Sequence, residues 1–259
     1  MISLKDKVAI VTGGAKGIGE AIVNIFFRLG AVVHILDQDE TNGRQVVNKL
    51  KKNGNEASFH LCDVSDHPAV GQIFKSVLKK SGRLDILVNN AGIAHIGTAE
   101  STTPEELDKL YAINVKSVYN CSHFAIKHMK KQGGGTIINM SSVAAVTGIA
   151  ERFAYSMSKG AVLTMTYSIA KDFIQHNIRC NAIGPARIHT PFVDGYLQKY
   201  YPDDKKEMFQ KLSKTQPIGR MGDPEEVAQL IAFLCSDQAT FITGCFYPID
   251  GGFITLNTG

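Results

Sequence analysis

Cysteine is scarce and unpatterned: five residues, at 62, 121, 180, 235 and 245, form no C-x-x-C pair. That argues against a disulfide framework or a zinc site and favours a reducing cytosol. Long apolar runs are missing as well. No stretch approaches the roughly 18 apolar residues of a membrane span, and "MISLKDKVAIVTGG" passes from polar residues into a short apolar run without a signal-type core. We expect a globular, cytoplasmic protein with no membrane partner. A strong charge of one sign is also absent, since 28 basic residues face 24 acidic ones. The lysine pairs at 51–52, 79–80, 130–131 and 205–206 sit in polar, helix-like segments and read as solvated faces, so no nucleic-acid partner is expected. The eight histidines are scattered without metal-ligand spacing, so no metal is expected either.

What the chain does contain is a rhythm. Seven short apolar runs, "KVAIVTG", "AVVHILD", "ASFHLCDV", "LDILVNNAG", "GTIINMSS", "IRCNAIGP" and "CFYPIDGG", alternate with segments mostly long enough for a crossover helix. Val- and Ile-rich runs of this kind predict strands buried on both faces. Their alternation with helices predicts a parallel sheet covered on both sides, with ligands at the strands' carboxyl ends. Residues 186–215 interrupt the rhythm with a long excursion, which suggests a substrate lid. No repeat or linker divides the 259 residues, so one domain is expected.

The first strand runs into "TGGAKGIGEAIV". Gly13, Gly17 and Gly19 let the backbone turn tightly and approach a phosphate, and the following helix aims its N-terminal N–H groups at an anion. The second strand ends in Asp37, near the roughly 20-residue interval at which a carboxylate accepts hydrogen bonds from an adenosine ribose. A carboxylate there repels the extra phosphate of NADP, so NAD is expected. Lys16 pulls the other way if it reaches a 2′-phosphate, and is neutral if it points into water. Asp63 ends the third strand, either to meet the adenine amino group or to start a turn. Further on, "AYSMSKGAV" places Tyr155 and Lys159 four positions apart on one helix face. "SMSK" also satisfies an acyl-transfer S-x-x-K pattern, without that chemistry's other motifs.

Taken together, "TGGAKGIG", "NNAG" (89–92), "SS" (141–142), Y-x-x-x-K (155–159) and "IDGG" (249–252) resemble the short-chain dehydrogenases and reductases over essentially the whole chain. The resemblance implies a single Rossmann-like, doubly wound α/β domain over 1–259. It also implies a catalytic set of Asn114, Ser142, Tyr155 and Lys159. Cofactor contacts would come from Gly13, Lys16, Gly17, Ile18, Gly19, Asp37, Asp63, Val64, Asn90, Ala91, Gly92, Tyr155, Lys159, Pro185, Ile188 and Thr190, with Ala186 standing where the family has Gly. The chemistry agrees with this set. Hydride transfer to or from a carbinol carbon needs a partner for the hydroxyl proton. Bringing a phenol from about 10 to near 7 takes roughly 4 kcal/mol of phenolate stabilisation, which Lys159 and a nicotinamide cation are expected to supply. Ser142 would bind the reacting oxygen, and its spacing of thirteen from Tyr155 selects it over Ser141. Asn114, a poor helix former inside a helix, would hold a water linking Lys159 to solvent. The family also implies pairing through helices near 104–131 and 153–176, giving a homodimer or homotetramer.

Arg152, three residues before Tyr155 and read as sharing its helix face, suits a substrate carboxylate, as does Arg187 beside His189; surface ion pairs are the other reading. His95 adds a hydrogen-bonding group, and Tyr196, Tyr200 and Tyr201 stud the lid among charges. A small polar substrate follows: a sugar, sugar acid or hydroxy acid, with "ERFAYSMSK" and "TQPIGRMGDPEEVA" resembling deoxy-sugar-acid and 3-hydroxybutyrate dehydrogenases. The competing expectations are an NADPH-dependent 3-oxoacyl thioester reductase and a catalytically silent dinucleotide sensor.

Overall fold

Strand β1 (Val8–Thr12) leads into helix α1 (Gly17–Arg28), and the pattern repeats through β2 (Val32–Asp37), α2 (Glu40–Lys51), β3 (Ala57–Leu61), α3 (His67–Ser81) and β4 (Ile86–Asn89). The computed structural model describes residues 2–51 and 56–256; Lys52, one of the lysines noted above, lies outside them. A long helical rod follows, made of α4 (Pro104–Leu110), a π-helical stretch (Tyr111–Lys116) and α5 (Ser117–Gln132). Then come β5 (Gly135–Met140), α6 (Phe153–Phe173), β6 (Ile178–Pro185), α7 (Pro191–Tyr200), α8 (Lys205–Lys214), α9 (Pro224–Cys235) and β7 (Phe246–Ile249). The excursion at 186–215 is thus a pair of helices.

All seven strands are parallel, in the order β3-β2-β1-β4-β5-β6-β7. This is the single-domain Rossmann-like arrangement expected. Its strand order reverses between β1 and β4, which opens a crevice at their carboxyl ends. Because side chains alternate along a strand, Ala9 and Val11 of β1 join Ile22, Phe26 and Val227 in a core under α1, α2 and α9. Val8 and Ile10 instead meet Phe74, Cys121 and Met129 under α3, α5 and α6. Both faces being covered explains why the strands read as unbroken apolar runs. Among the described residues no helix is long and apolar enough to cross a membrane.

One polar seam crosses this apolar interior. Asn89 and Asn139 are register partners on β4 and β5. The Asn89 amide donates to Asn139 Oδ1 (2.8 Å) and to Ser122 Oγ on α5 (3.1 Å), while Asn139 Nδ2 donates to Thr166 Oγ1 on α6 (2.9 Å). The seam ties α5 and α6 to the sheet directly behind the site. Asn139→Leu would leave buried groups on both sides unpaired, so we expect it to cost about 2–4 kcal/mol, measured as a lower urea midpoint at unchanged slope.

Candidate active site

The crevice is shaped first by its glycines. Gly13 and Gly17 have φ of +65° and +56°, in the left-handed region that favours glycine. A Cβ on Gly19 would stand 1.9 Å from the Gly13 carbonyl oxygen, so the loop and the first turn of α1 are in backbone contact. Thr12 Oγ1 accepts from the backbone N–H groups of Asn90 and Ala91, and Asn90 Nδ2 donates to the carbonyls of Thr12 and Gly13, all at 3.0 Å. Asn90 therefore braces the glycine loop. No side chain caps the N-terminus of α1, leaving its first amides without a side-chain acceptor, as a pyrophosphate requires.

Asp37, the carboxylate expected to meet a ribose, sits beside the loop. Its carboxylate accepts from the N–H of Ala15 (3.0 Å) and of Asp39 (2.9 Å). Lys16 is an exposed side chain whose Nζ pairs with Asp39 at 2.6 Å. The Lys16 hydrogen bond, with Asn42, pulls the Asp39 carboxyl down to about 2. Asp39 was not singled out from the sequence, although its signal was present in "LDQDE", an acid two positions past Asp37. Asp63 also starts a turn, since Oδ1 accepts from both the N–H (2.9 Å) and the hydroxyl (2.7 Å) of Ser65. Burial alone would raise that carboxyl, but hydrogen bonds from Ser65 and Gln38 hold it low. Val64 is buried in the second core, beside this turn. At the far side of the loop, Thr190 Cβ would lie 3.5 Å from a Cβ built on Gly17, so the segment after β6 meets the glycine loop. Ala186 keeps an ordinary negative φ and donates its N–H to Ile249 O (3.2 Å), so the Gly-to-Ala departure is accommodated. The cradle fits a dinucleotide: uncapped amides at the helix N-terminus, backbone contact that only glycine permits, and a carboxylate at the ribose end.

The residues expected to react gather where β5 ends. The Ser141 hydroxyl donates to Lys159 O on α6 (2.9 Å), an anchoring role. Ser142 instead turns its hydroxyl toward Pro185 O (3.4 Å) and lies close enough to Tyr155 to lower its pKa. Lys159 is buried, donates to Met140 O (2.8 Å), and stands 5.8 Å from the Tyr155 ring centroid. Burial lowers the ammonium to about 8. Burial raises the Tyr155 pKa in the chain alone, and Ser142 and the charge of Arg152 pull it down. Asn114 lies in the π-helical stretch, a winding that often marks functional sites. Its Oδ1 accepts from Ile93 N (2.8 Å) and its Nδ2 donates to Ile93 O (2.9 Å) and Ser158 Oγ (3.0 Å). The Asn114 amide thus fixes the strand-to-loop corner instead of facing outward. Gly92 occupies the gap between Asn114 and Lys159, since its Cβ would come within 3.2 Å of the former's Oδ1 and 3.4 Å of the latter's Nζ.

Around the rim the readings divide. Arg152 precedes α6 with φ −124° and so does not ride the Tyr155 helix face, yet its charge still reaches the phenol. It donates from Nη1 to His95 O at 2.8 Å. The His95 ring faces Glu106 (3.2 Å), with its other nitrogen buried and unpaired. His189 is tied elsewhere: it pairs with Asp194 on α7 (2.9 Å) and packs edge-on against Phe209 on α8. Arg187 is half-buried with its Nε unpaired, and burial, then Arg152, lowers its pKa. Tyr196 on α7 feels both arginines, which oppose the upward push of its burial. The side chain of Tyr200 lies outside the described residues, while Tyr196 and Tyr201 pack against Val193, Leu197 and Met221.

Residues 13–254 match the family model described as enoyl-(acyl carrier protein) reductase. An uncharacterised oxidoreductase of Thermotoga maritima is 40% identical over 252 residues, 97% of this chain and 98% of that one. A 3-oxoacyl-[acyl-carrier-protein] reductase of the same organism is 36% identical over 97% of this chain and 99% of its own. Among solved structures, L-sorbose reductase from Gluconobacter frateurii, complexed with NADPH and L-sorbose, superposes with a TM-score of 0.94 at 30% identity, covering 99% of both chains.

Proposed function

The chain belongs to the short-chain dehydrogenase/reductase family, and on that premise we propose that it is an NAD-dependent alcohol dehydrogenase. It is an oxidoreductase acting on an alcohol or ketone. Its substrate on this reading is small and polar, a sugar acid, sugar or hydroxy acid, with Tyr155 as general acid/base. The observation that carries this is the buried Lys159 ammonium, 5.8 Å from the Tyr155 ring centroid at the mouth of the dinucleotide cradle, with Ser142 close enough to act on the same phenol.

The nicotinamide, when bound, supplies the hydride acceptor or donor and a positive charge near the phenol. Everything else is the work of the chain's own side chains. Ser142 holds the substrate oxygen, Tyr155 takes or gives its proton, and Lys159 stabilises the phenolate that results. With the phenol raised by burial, that stabilisation matters most while the cofactor is loaded. Asn114 keeps the corner at Ile93 in place, and α7 with α8 forms the proposed lid that excludes water.

NAD is favoured over NADP by two carboxylates, Asp37 at the cradle and Asp39 pairing with Lys16 of the glycine loop. We expect Asp37→Ser to shift the NAD-to-NADP ratio of kcat/KM by about 100-fold toward NADP, roughly 2.7 kcal/mol. Asp39→Asn, which frees Lys16, should give a smaller shift of about 3- to 10-fold in the same direction. Both are read from reduced-nicotinamide absorbance with each cofactor and from dissociation constants. A wild type that turns over only with NADP would overturn the cofactor reading and favour the second one, a 3-oxoacyl thioester reductase, which the 36%-identical relative supports. The silent-sensor reading has little behind it, because no catalytic side chain is missing. A cytoplasmic homodimer or homotetramer completes the proposal; exposed Tyr111, Tyr119, Phe153, Met157 and Tyr167 along α4–α6 support such pairing.

A further inference from the structure

We infer that the substrate carries a carboxylate, bound by Arg187 with Arg152 alongside; this deepens the dehydrogenase reading above and rests on it. The two arginines arrive from different elements. Pro185 O takes the Ser142 hydroxyl, so Arg187, two residues further on, leaves the backbone beside the reacting serine. Arg152 leaves it one residue before α6, three ahead of Tyr155. Neither has a carboxylate partner among the described residues.

The acids nearby are already committed. Glu106 faces His95, Asp194 holds His189, and Glu226 takes the fork of Arg220 at 2.7 and 2.8 Å. Asp250 accepts from the N–H groups of Gly252 and Ile254, both at 2.9 Å. Arg152 spends one N–H on the His95 carbonyl. Arg187 keeps its Nε buried and unpaired; it also borders a cavity of about 70 Å3, away from Ser142 and Tyr155, with Gln216, Arg220, Glu226 and Asp250. Holding two like charges partly out of water is costly unless an anion offsets them. Burial, and after it the charge of Arg152, lowers the pKa of Arg187. A neutral polyol would leave that cost standing, and an acyl thioester offers no charge at this point. A carboxylate removes it, and the planar guanidinium fork matches its two oxygens. The acids that fit are hydroxy or oxo acids whose reacting carbon reaches Ser142 and Tyr155.

The test pairs acids with their neutral counterparts. Lactate, 3-hydroxybutyrate, malate and gluconate, each beside its amide, and a phosphate monoester of glycerol are titrated calorimetrically into NAD-loaded protein and assayed for turnover. Wild type is compared with Arg187→Met and Arg187→Lys, and circular dichroism checks folding. We expect at least one acid to bind better than its amide. Arg187→Met should weaken that acid roughly 30-fold or more, raising KM far more than it lowers kcat, with the NAD dissociation constant unmoved. Arg187→Lys should recover part of the loss. Acid and amide binding alike, no acid binding at all, the phosphate ester binding in preference, or Arg187→Met binding acids as wild type does would each overturn the inference. Equal turnover of acid and amide would remove the carboxylate while leaving the dehydrogenase reading intact. Arg187-dependent acid binding without turnover would do the reverse.

Discussion

Tyr155→Phe lowers kcat/KM by roughly a thousandfold, about 4 kcal/mol of transition-state stabilisation, while the protein folds and binds the dinucleotide as before. Only one oxygen is lost, and the ring keeps its place on α6. That oxygen is the titratable group closest to Ser142 in its effect, and the partners of the serine hydroxyl, Pro185 O and Ala144 N, are backbone groups that exchange no proton in the reaction. Lys159 does not substitute for it, being engaged with Met140 O. Single-turnover reduction of the cofactor, together with a fluorescence titration of NADH binding, separates chemistry from affinity. A variant retaining more than about a tenth of wild-type turnover would sink the general acid/base assignment.

Gly19→Ala is expected to have the second largest effect. The new methyl would meet the Gly13 carbonyl oxygen at 1.9 Å and Asn90 Nδ2 at 2.7 Å, and the closer of these is backbone that cannot rotate aside. Relief requires moving α1, which is held by the buried Ile22, Val23, Phe26 and Phe27. We expect a loss of about 2–3 kcal/mol in stability from this overpacking, and at least a roughly 100-fold weaker dinucleotide, about 2.7 kcal/mol. Thermal denaturation with and without NAD measures both, because the ligand-induced rise in Tm should shrink along with the starting Tm. Gly17→Ala makes the useful contrast. There a Cβ meets nothing nearer than 3.5 Å, and the penalty is only the left-handed φ of +56°, about 1–2 kcal/mol.

What could be read from sequence follows from how locally each feature is encoded. The parallel sheet is legible because strands such as "KVAIVTG" are buried on both faces and so lose the alternation of a half-exposed strand. The glycine loop is legible because its backbone demands exclude other residues within a few positions. The pairing of Lys16 with Asp39 was not, since it depends on the loop after β2 returning beside the loop after β1. Arg152 misled for a related reason: helical spacing placed it on the Tyr155 face, but the helix begins one residue later. The role of Asn114 was half legible. Its poor helix propensity hinted at an irregularity, yet only the fold reveals that the irregularity is π winding and that the amide is spent on Ile93. His189 and His95 could not be placed at all from composition, because their partners, Asp194 and Glu106, lie across loop and helix junctions.

The helices α7 and α8 close over an apolar cluster of their own, Val193, Leu197 and Met221 with Tyr196, Tyr201, Met208, Phe209 and Leu212, separate from the two cores that sandwich the sheet. Ile188 and Gly222 form a bridge at the base of this pair. Such an element is a cassette. Its interior can be rewritten, or α7 with α8 exchanged for the matching helices of a relative, without repacking the two cores that flank the sheet. On the proposal that these helices form the lid, substrate selectivity can change hands while the glycine loop and its Thr190 contact are inherited.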